Sequence, residues 1–256
     1  MLTLKDFQPY QLDNLVRMGP KNDGGYIVPE NYKSKVLISF GLGNNWDFEK
    51  SMIKKGQISK YVIFDHTVDL SLLLKSIFSS LKSKQNIYII VFKIKVFLLY
   101  FKDFIILKNL HIKKKVVARK YDFNSTDLRE IMKTFTEGSK NIFLKCDIDN
   151  GEYDIINDII LFNHKIEVLV IEFHDIIERK IEFKNCLEKL KKHYSLVHSH
   201  ANNYSFTDDL GIPNVCEFTF VKKSSHKLPK KVKQLPVLGL DAPCSPLRPE
   251  IRMVFK

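Results

Sequence analysis

Four apolar runs punctuate the chain: VLISF at 36–40, YVIF at 61–64, NIFLKCDI at 141–148 and KIEVLVIEFHDI at 165–176. Short runs rich in Val, Ile and Phe read as strands covered on both faces. The segments that follow them have helical periodicity. FEKSMIKKG has Gly56 as a stop, STDLREIMKTF has Ser125 and Thr126 as caps, and EYDIINDIILFN is a third helix. IEFKNCLEKLKKHY ends in a basic turn, which suits the C-terminal end of a helix dipole. This alternation predicts an α/β fold with a mostly parallel central sheet and helices on both faces. KKKVVARKYDF reads as another strand. YSLVHSHANNY and NVCEFTFVKK read as an antiparallel C-terminal strand pair at the end of the sheet.

In sheets of this kind ligands bind at the C-terminal ends of the strands, near the switch in strand order. The polar residues that follow each apolar run are therefore expected to converge. They are Gly41 and Gly43, Asp65 and His66, Asp122, Asp147, Glu172 and His174, and His198 and His200. The segment FLKCDIDNGEYDII is the densest of these, with Asp147, Asp149, Glu152 and Asp154 where a core strand ends. For Asp149 and Asp154 the plain reading is an acidic first helical turn, favoured by the dipole.

SFGLGNNWDFE places Gly-x-Gly after a strand, so the backbone can approach a ligand closely. Trp46 breaks the GxGxxG dinucleotide fingerprint, which speaks against a nicotinamide oxidoreductase. Asp65 follows the glycines at roughly the 20-residue spacing where an acid meets a ribose diol, and a helix cap is its other reading. RMGPKNDGGYIVP carries a strong turn signal, flanked by Arg17 and Asp23, that a simple hairpin also explains.

The 256 residues suffice for a sizeable core. The net charge of +12 favours acidic partners such as phosphorylated metabolites, and a Lys-rich solvated surface is its plain reading. With no dense Arg stripe, nucleic acid is not an expected partner. Cys146, Cys186, Cys216 and Cys244 form no CxxC pair, and no signal-peptide zones are present, so a reducing cytoplasm is expected. Residues 86–107, NIYIIVFKIKVFLLYFKDFIIL, are strongly apolar, but Lys93, Lys95, Lys102 and Asp103 interrupt them. A membrane span is disfavoured. The segment reads as a buried or half-buried helix, with an oligomer interface or a less favoured membrane-surface contact as the alternatives.

Taken in order, RMGPKNDGGYIVP, LISFGLGNNWDFE, YVIFDHT, FLKCDIDNGEYDII and VLVIEFHDI resemble the FkbM-type methyltransferases. The likeness continues through HSHANNY, PNVCEFTFVKK and LDAPCSPLRPEI, covers most of residues 15–255, and is weakest over 70–120. DIDNGE departs from the family's Asp-x-Glu-Gly-x-Glu pattern, with Asp149 in place of Glu and Asn150 inserted before Gly151. The resemblance implies a Rossmann-like methyltransferase fold and S-adenosylmethionine as cofactor. It further implies O-methylation of a sugar hydroxyl, on a nucleotide-activated sugar or a bacterial capsular or surface polysaccharide. Gly41 and Gly43 would cradle the methionine part, Asp65 the ribose and Asp122 the adenine amine. Asp23 and Gly24 would close over cofactor or substrate. One domain is implied: a cap over 1–35, a core over 36–223 and an arm or lid over 224–256.

An alcohol is a poor nucleophile near neutral pH, so its methylation needs help. A positioned base can take the proton, or a divalent cation can lower the hydroxyl's pKa. Asp147 and His174, at neighbouring strand ends, are the candidates for either role, with His66 as a further catalytic group. His198 or His200, with His200 the one preferred, would complete a metal set with Asp147 and His174, holding iron, manganese, zinc or magnesium. In the metal-free alternative His174 is a general base oriented by Asp147 or Glu172. A non-catalytic scaffold on the same fold is the competing class.

Overall fold

Each of the four apolar runs is a strand in the computed structural model, which describes every residue except Glu137, His226, Lys227, Pro229 and Lys256. The chain opens with a hairpin of β1 (Leu15–Met18) and β2 (Tyr26–Pro29). Next come β3 (Val36–Phe40), α1 (Asp47–Lys54), β4 (Lys60–Phe64), α2 (Leu70–Lys82) and α3 (Ile87–Tyr100). The short strands β5 (His111–Ile112), β6 (Lys115–Val116) and β7 (Ser125–Thr126) precede α4 (Leu128–Phe135). Then follow β8 (Ile142–Cys146), α5 (Glu152–Leu161), β9 (Ile166–Phe173), α6 (Lys180–His193), β10 (Tyr194–Ala201) and β11 (Cys216–Lys222). The two-residue strands β12 (Gln234–Leu235) and β13 (Met253–Val254) pair within the C-terminal arm.

Seven strands form the central sheet in the order β10-β11-β9-β8-β3-β4-β5. All run parallel except β11, which is antiparallel to both β9 and β10. This is the Rossmann-like α/β fold, with a mostly parallel sheet and an antiparallel C-terminal strand, that the sequence predicts. From β3 the chain winds outward through β4 to β5, then returns to the other side of β3 as β8. The switch in strand order therefore lies between β3 and β8, the position at which sheets of this kind bind ligands.

Alternation along the strands sorts the core into two layers. Val36, Ile38 and Phe40 of β3 face one side, with Leu128 and Ile131 of α4, Ile155 and Ile159 of α5, and Phe183 and Leu187 of α6. Leu37 faces the other side, with Phe48 and Met52 of α1 and with Met18, Tyr26 and Val28 of the N-terminal hairpin.

Three expectations need correction. The helix over 86–107 exists, extended by a π-helical turn at Phe101–Ile106, but it is not buried. Its inner side packs on a small cluster through Val96, Tyr100 and Phe104, and among the described residues no further layer covers the rest. KKKVVARKYDF yields only the two-residue β6, because its closely spaced cations cannot enter a core. Ser125 and Thr126 form β7, and the cap of α4 is Asp127, whose side chain accepts from the Glu130 amide. The C-terminal pair is antiparallel as expected, but β11 inserts between β9 and β10 and so separates β10 from β9.

Candidate functional site

At the switch point the chain leaves β3 through Gly41, whose φ is +83°. A Cβ there would lie 1.7 Å from the Asp147 carbonyl oxygen, so only glycine lets β3 and β8 approach this closely. The Asp147 amide donates to Phe40 O at 3.0 Å and seals the contact. Gly43 also has positive φ, but no described atom lies within 4 Å of a Cβ built on it, so the loop is open above this residue.

The loop is braced from three sides. Asp65 Oδ2 accepts from the Leu42 and Gly43 amides at 2.7 and 2.9 Å, and Oδ1 accepts from the Thr67 amide and hydroxyl. Burial opposes ionisation of Asp65, but these hydrogen bonds outweigh it and hold the carboxyl below its usual range. Beneath the loop, Lys145 Nζ donates to Gly41 O at 2.6 Å and lies 3.5 Å from Glu49 and 3.7 Å from Asp147. Ser39 Oγ donates to the same Glu49 carboxylate at 2.6 Å. Burial works against the Lys145 charge, yet Glu49, Asp147 and Glu172 raise its pKa above the ordinary value. Above the loop, Asn45 Nδ2 donates to Asp23 O at 3.1 Å and touches the space beside Gly24. Arg17 shapes that turn by donating to Pro20 O and Asn22 O.

Beside Gly41 lies an acidic pocket. Asp147, Glu172 and His174 each present one ligand atom, all within 4.8 Å of one another. Tyr26 donates to Asp147 Oδ2 at 2.8 Å, and Asn202 donates to Glu172 Oε1 at 2.8 Å. Glu152, fully buried at the start of α5, accepts from the His174 amide at 2.8 Å and stands 3.2 Å from its Nδ1. Burial alone would lower the His174 pKa. The Glu152 hydrogen bond and the charges of Glu172, Glu152 and Asp147 reverse this and raise it to about 10. Burial, then Asp147 and Glu217, pushes Glu172 well above the carboxylate range. Burial, then Glu217 and Asp147, raises Asp23 to about 6. Carboxylates crowd this cluster, and their charges add to burial in raising Glu172 and Asp23.

A second cluster continues the row along the sheet. Glu172 of β9, Glu217 of β11 and His200 of β10 are direct cross-strand neighbours on one face. His200 Nδ1 lies 3.3 Å from Glu217, its Nε2 lies 3.1 Å from Glu250, and Cys244 Sγ sits 3.7 Å from Glu217. Glu250 and Cys244 belong to the C-terminal arm, so this cluster clasps the arm to the sheet. Asn203 adds to the clasp by donating to Ser245 O and Arg248 O and accepting from the Ser245 amide. The arm in turn meets the N-terminal turn where the Asp23 amide donates to Cys244 O.

The expected residues thus divide. Gly41, Gly43, Asp65, Asp23 and Gly24 gather around one loop, and Asp147 and His174 share one pocket. His200 does not join them, because the intervening β11 puts two strand spacings, about 10 Å, between β9 and β10. Glu172 takes its place in the trio. The His174 ring and amide meet Glu152, and among the described residues neither the Asp147 nor the Glu172 carboxylate makes that contact. His66 and Asp122 are both exposed, His66 just beyond β4 and Asp122 on the loop between β6 and β7. Of the four carboxylates after β8, Asp147 and Glu152 are structural parts of the pocket, whereas the Asp149 side chain is 93% exposed and Asp154 faces solvent.

Lys145, Glu49, Glu217 and Glu250 are not among the residues expected at the site. The lone lysine inside FLKCD and the lone glutamate inside VCEFTF were the available signals, since a charge in a core strand needs a buried partner.

No protein-family model matches the chain, and no curated protein matches it by sequence. Among solved structures it is similar to a fibrillarin/Nop5p complex at 8% identity and TM-score 0.40, over 75% of this chain and 74% of that one. It is also similar to a dimethyladenosine transferase from Plasmodium falciparum at 11% identity and TM-score 0.37, over 77% and 58% of the two chains. A third is precorrin-6y C5,15-methyltransferase from Geobacter metallireducens GS-15, at 9% identity and TM-score 0.33, over 76% and 84%. Likeness at this level concerns the fold and assigns no substrate.

Proposed function

We propose that the chain is an S-adenosylmethionine-dependent O-methyltransferase of FkbM type, acting on a sugar hydroxyl of a nucleotide-activated sugar or a surface polysaccharide. The observation that carries this reading is the contact between Gly41 and Asp147. It puts an open glycine loop and a carboxylate–imidazole pocket in backbone contact, at the sheet's switch point.

When bound, S-adenosylmethionine supplies an electrophilic methyl group. The chain's part is to position it and the acceptor, since in-line transfer depends mainly on proximity and orientation. Gly43 leaves room for the cofactor against the backbone, and Asp65 and Lys145 hold the loop rigid beneath it. Asp147 Oδ2 is engaged by Tyr26, so Oδ1 is the oxygen that takes the acceptor's hydroxyl proton.

Asp147, Glu172 and His174 also fit a divalent cation. Two carboxylates and one imidazole converge, and Glu152 Oε2 is buried without a partner among the described residues. Such an ion supplies Lewis acidity that lowers the pKa of a hydroxyl bound to it.

The test is calorimetric titration of S-adenosylhomocysteine into the purified protein, with and without chelator, alongside elemental analysis. Binding with near-stoichiometric metal supports both parts of the reading. Binding that ignores the chelator removes the ion and leaves Asp147 as the proton acceptor. No binding under either condition overturns the methyltransferase reading and leaves a scaffold role.

A further inference from the structure

Helices α2 and α3 form a hairpin between β4 and β5, which are neighbours in the sheet. The hairpin is rooted on the glycine loop. Tyr100 and Phe104 pack with Leu42 and Trp46, and Trp46 Nε1 donates to the buried Asp103 at 2.6 Å.

Its outer side is unusual. Ile87, Val91, Ile94, Leu98, Phe101 and Ile105 recur every three or four residues, so they line one side of the helix. They are 40% to 63% exposed. On α2, Leu74, Phe78 and Leu81 repeat the spacing, and Phe78 is 66% exposed. A stripe at this spacing normally faces a core. A continuous apolar patch on the surface marks an interaction site.

The charges around the stripe indicate the partner. Lys75, Lys82, Lys84, Lys95, Lys102 and Lys108 are exposed on the same hairpin. The one acidic residue between positions 70 and 110 is Asp103, which is buried against Trp46. A second copy of this chain would bring the same lysines and another +12 of charge to the same stripe. An anionic bilayer offers apolar chains for the stripe and phosphates for the lysines. The helix cannot cross that bilayer. Lys93, Lys95, Lys102 and Asp103 interrupt it, and charges inside a membrane span are costly. Among the described residues no helix is long and apolar enough to do so.

We propose that the α2–α3 hairpin docks the protein on the surface of an anionic lipid bilayer, with its apolar stripe in the interface and its lysines on the headgroups. Docking of this kind is independent of the cofactor assignment. It would place the glycine loop, which the hairpin touches, close to the membrane.

The test is co-sedimentation with vesicles of equimolar phosphatidylglycerol and phosphatidylcholine, compared with phosphatidylcholine alone. Binding should require the anionic lipid and weaken with salt. Each lysine near such a surface contributes about 1 kcal/mol, or about fivefold, so the triple variant K82Q/K84Q/K95Q should bind about a hundredfold more weakly. The F78S/L98S variant should also lose binding, with its circular dichroism unchanged because both residues are exposed. Equal binding to both vesicle types overturns the anionic recognition. Absence of binding overturns the proposal, and if sedimentation equilibrium then shows a dimer that F78S/L98S dissociates, the stripe is a self-association surface instead.

Discussion

Replacing Lys145 by Met is the sharpest test of how the candidate site is held together. Lys145 and Glu49 are 5% and 1% exposed, and their charged atoms are 3.5 Å apart. At an effective dielectric of about 20, a pair at that distance attracts by about 5 kcal/mol. Desolvation offsets much of this, so the net worth of the pair is small, but removing one partner strands the other. The Lys145→Met change would leave the Glu49 carboxylate buried with only the Ser39 hydroxyl, since its Oε2 has no partner among the described residues. Stranding a buried charge costs about 3–5 kcal/mol. With a urea slope of about 2.5 kcal/mol per M, the midpoint of K145M should fall by about 1.5 M. Glu49→Gln keeps an acceptor for Ser39, and Lys145 then still has Asp147, so this variant should cost about 1–2 kcal/mol. The double variant K145M/E49Q is neutral and should be more stable than the sum of the single losses predicts, by at least about 1.5 kcal/mol. Urea unfolding of all four proteins measures this coupling. A coupling near zero, or a K145M protein as stable as the wild type, would refute the reasoning.

Three further outcomes follow from the geometry. Gly43→Ala meets no described atom within 4 Å and carries only the strain of positive φ, about 1 kcal/mol, yet it should weaken S-adenosylhomocysteine binding at least tenfold by calorimetry; unchanged affinity would move the cofactor off this loop. Asn203→Ala removes three hydrogen bonds to the arm, so limited proteolysis should cut near residues 237–250 faster while the melting of the sheet changes little; equal cleavage rates would mean the arm is held elsewhere. In chelator-treated protein the raised His174 pKa stabilises the fold fully below the unfolded value of 6.5, and this stability is lost as pH climbs to about 10. Glu152→Gln removes the hydrogen-bonded charge that outweighs burial, so its stability should decline less steeply over that window, and parallel profiles would count against the Glu152–His174 pair.

Much of this protein was legible in its residue order. Apolar runs of strand length separated by amphipathic stretches leave few alternatives to a wound parallel sheet, because each run must bury both faces. Glycines at the end of β3 and acids at the ends of β4, β8 and β9 follow from that architecture, since the strand ends are where the backbone turns away from the core. The residue order therefore pointed to the strand ends at the switch in strand order, where Gly41, Asp65, Asp147 and His174 lie. Three things were settled only by tertiary structure. Strand order is a long-range property, so β11 could enter between β9 and β10 and send His200 to Glu217 and Glu250 instead of Asp147. Burial of a charge depends on partners far along the chain, so local order does not reveal that Lys145 meets Glu49 and Gly41, or that Glu152 meets His174. Whether an apolar helix is core or surface depends on what packs over it, and among the described residues nothing packs over the outer side of α3. Local periodicity can specify an apolar stripe, but only the fold decides whether protein covers it.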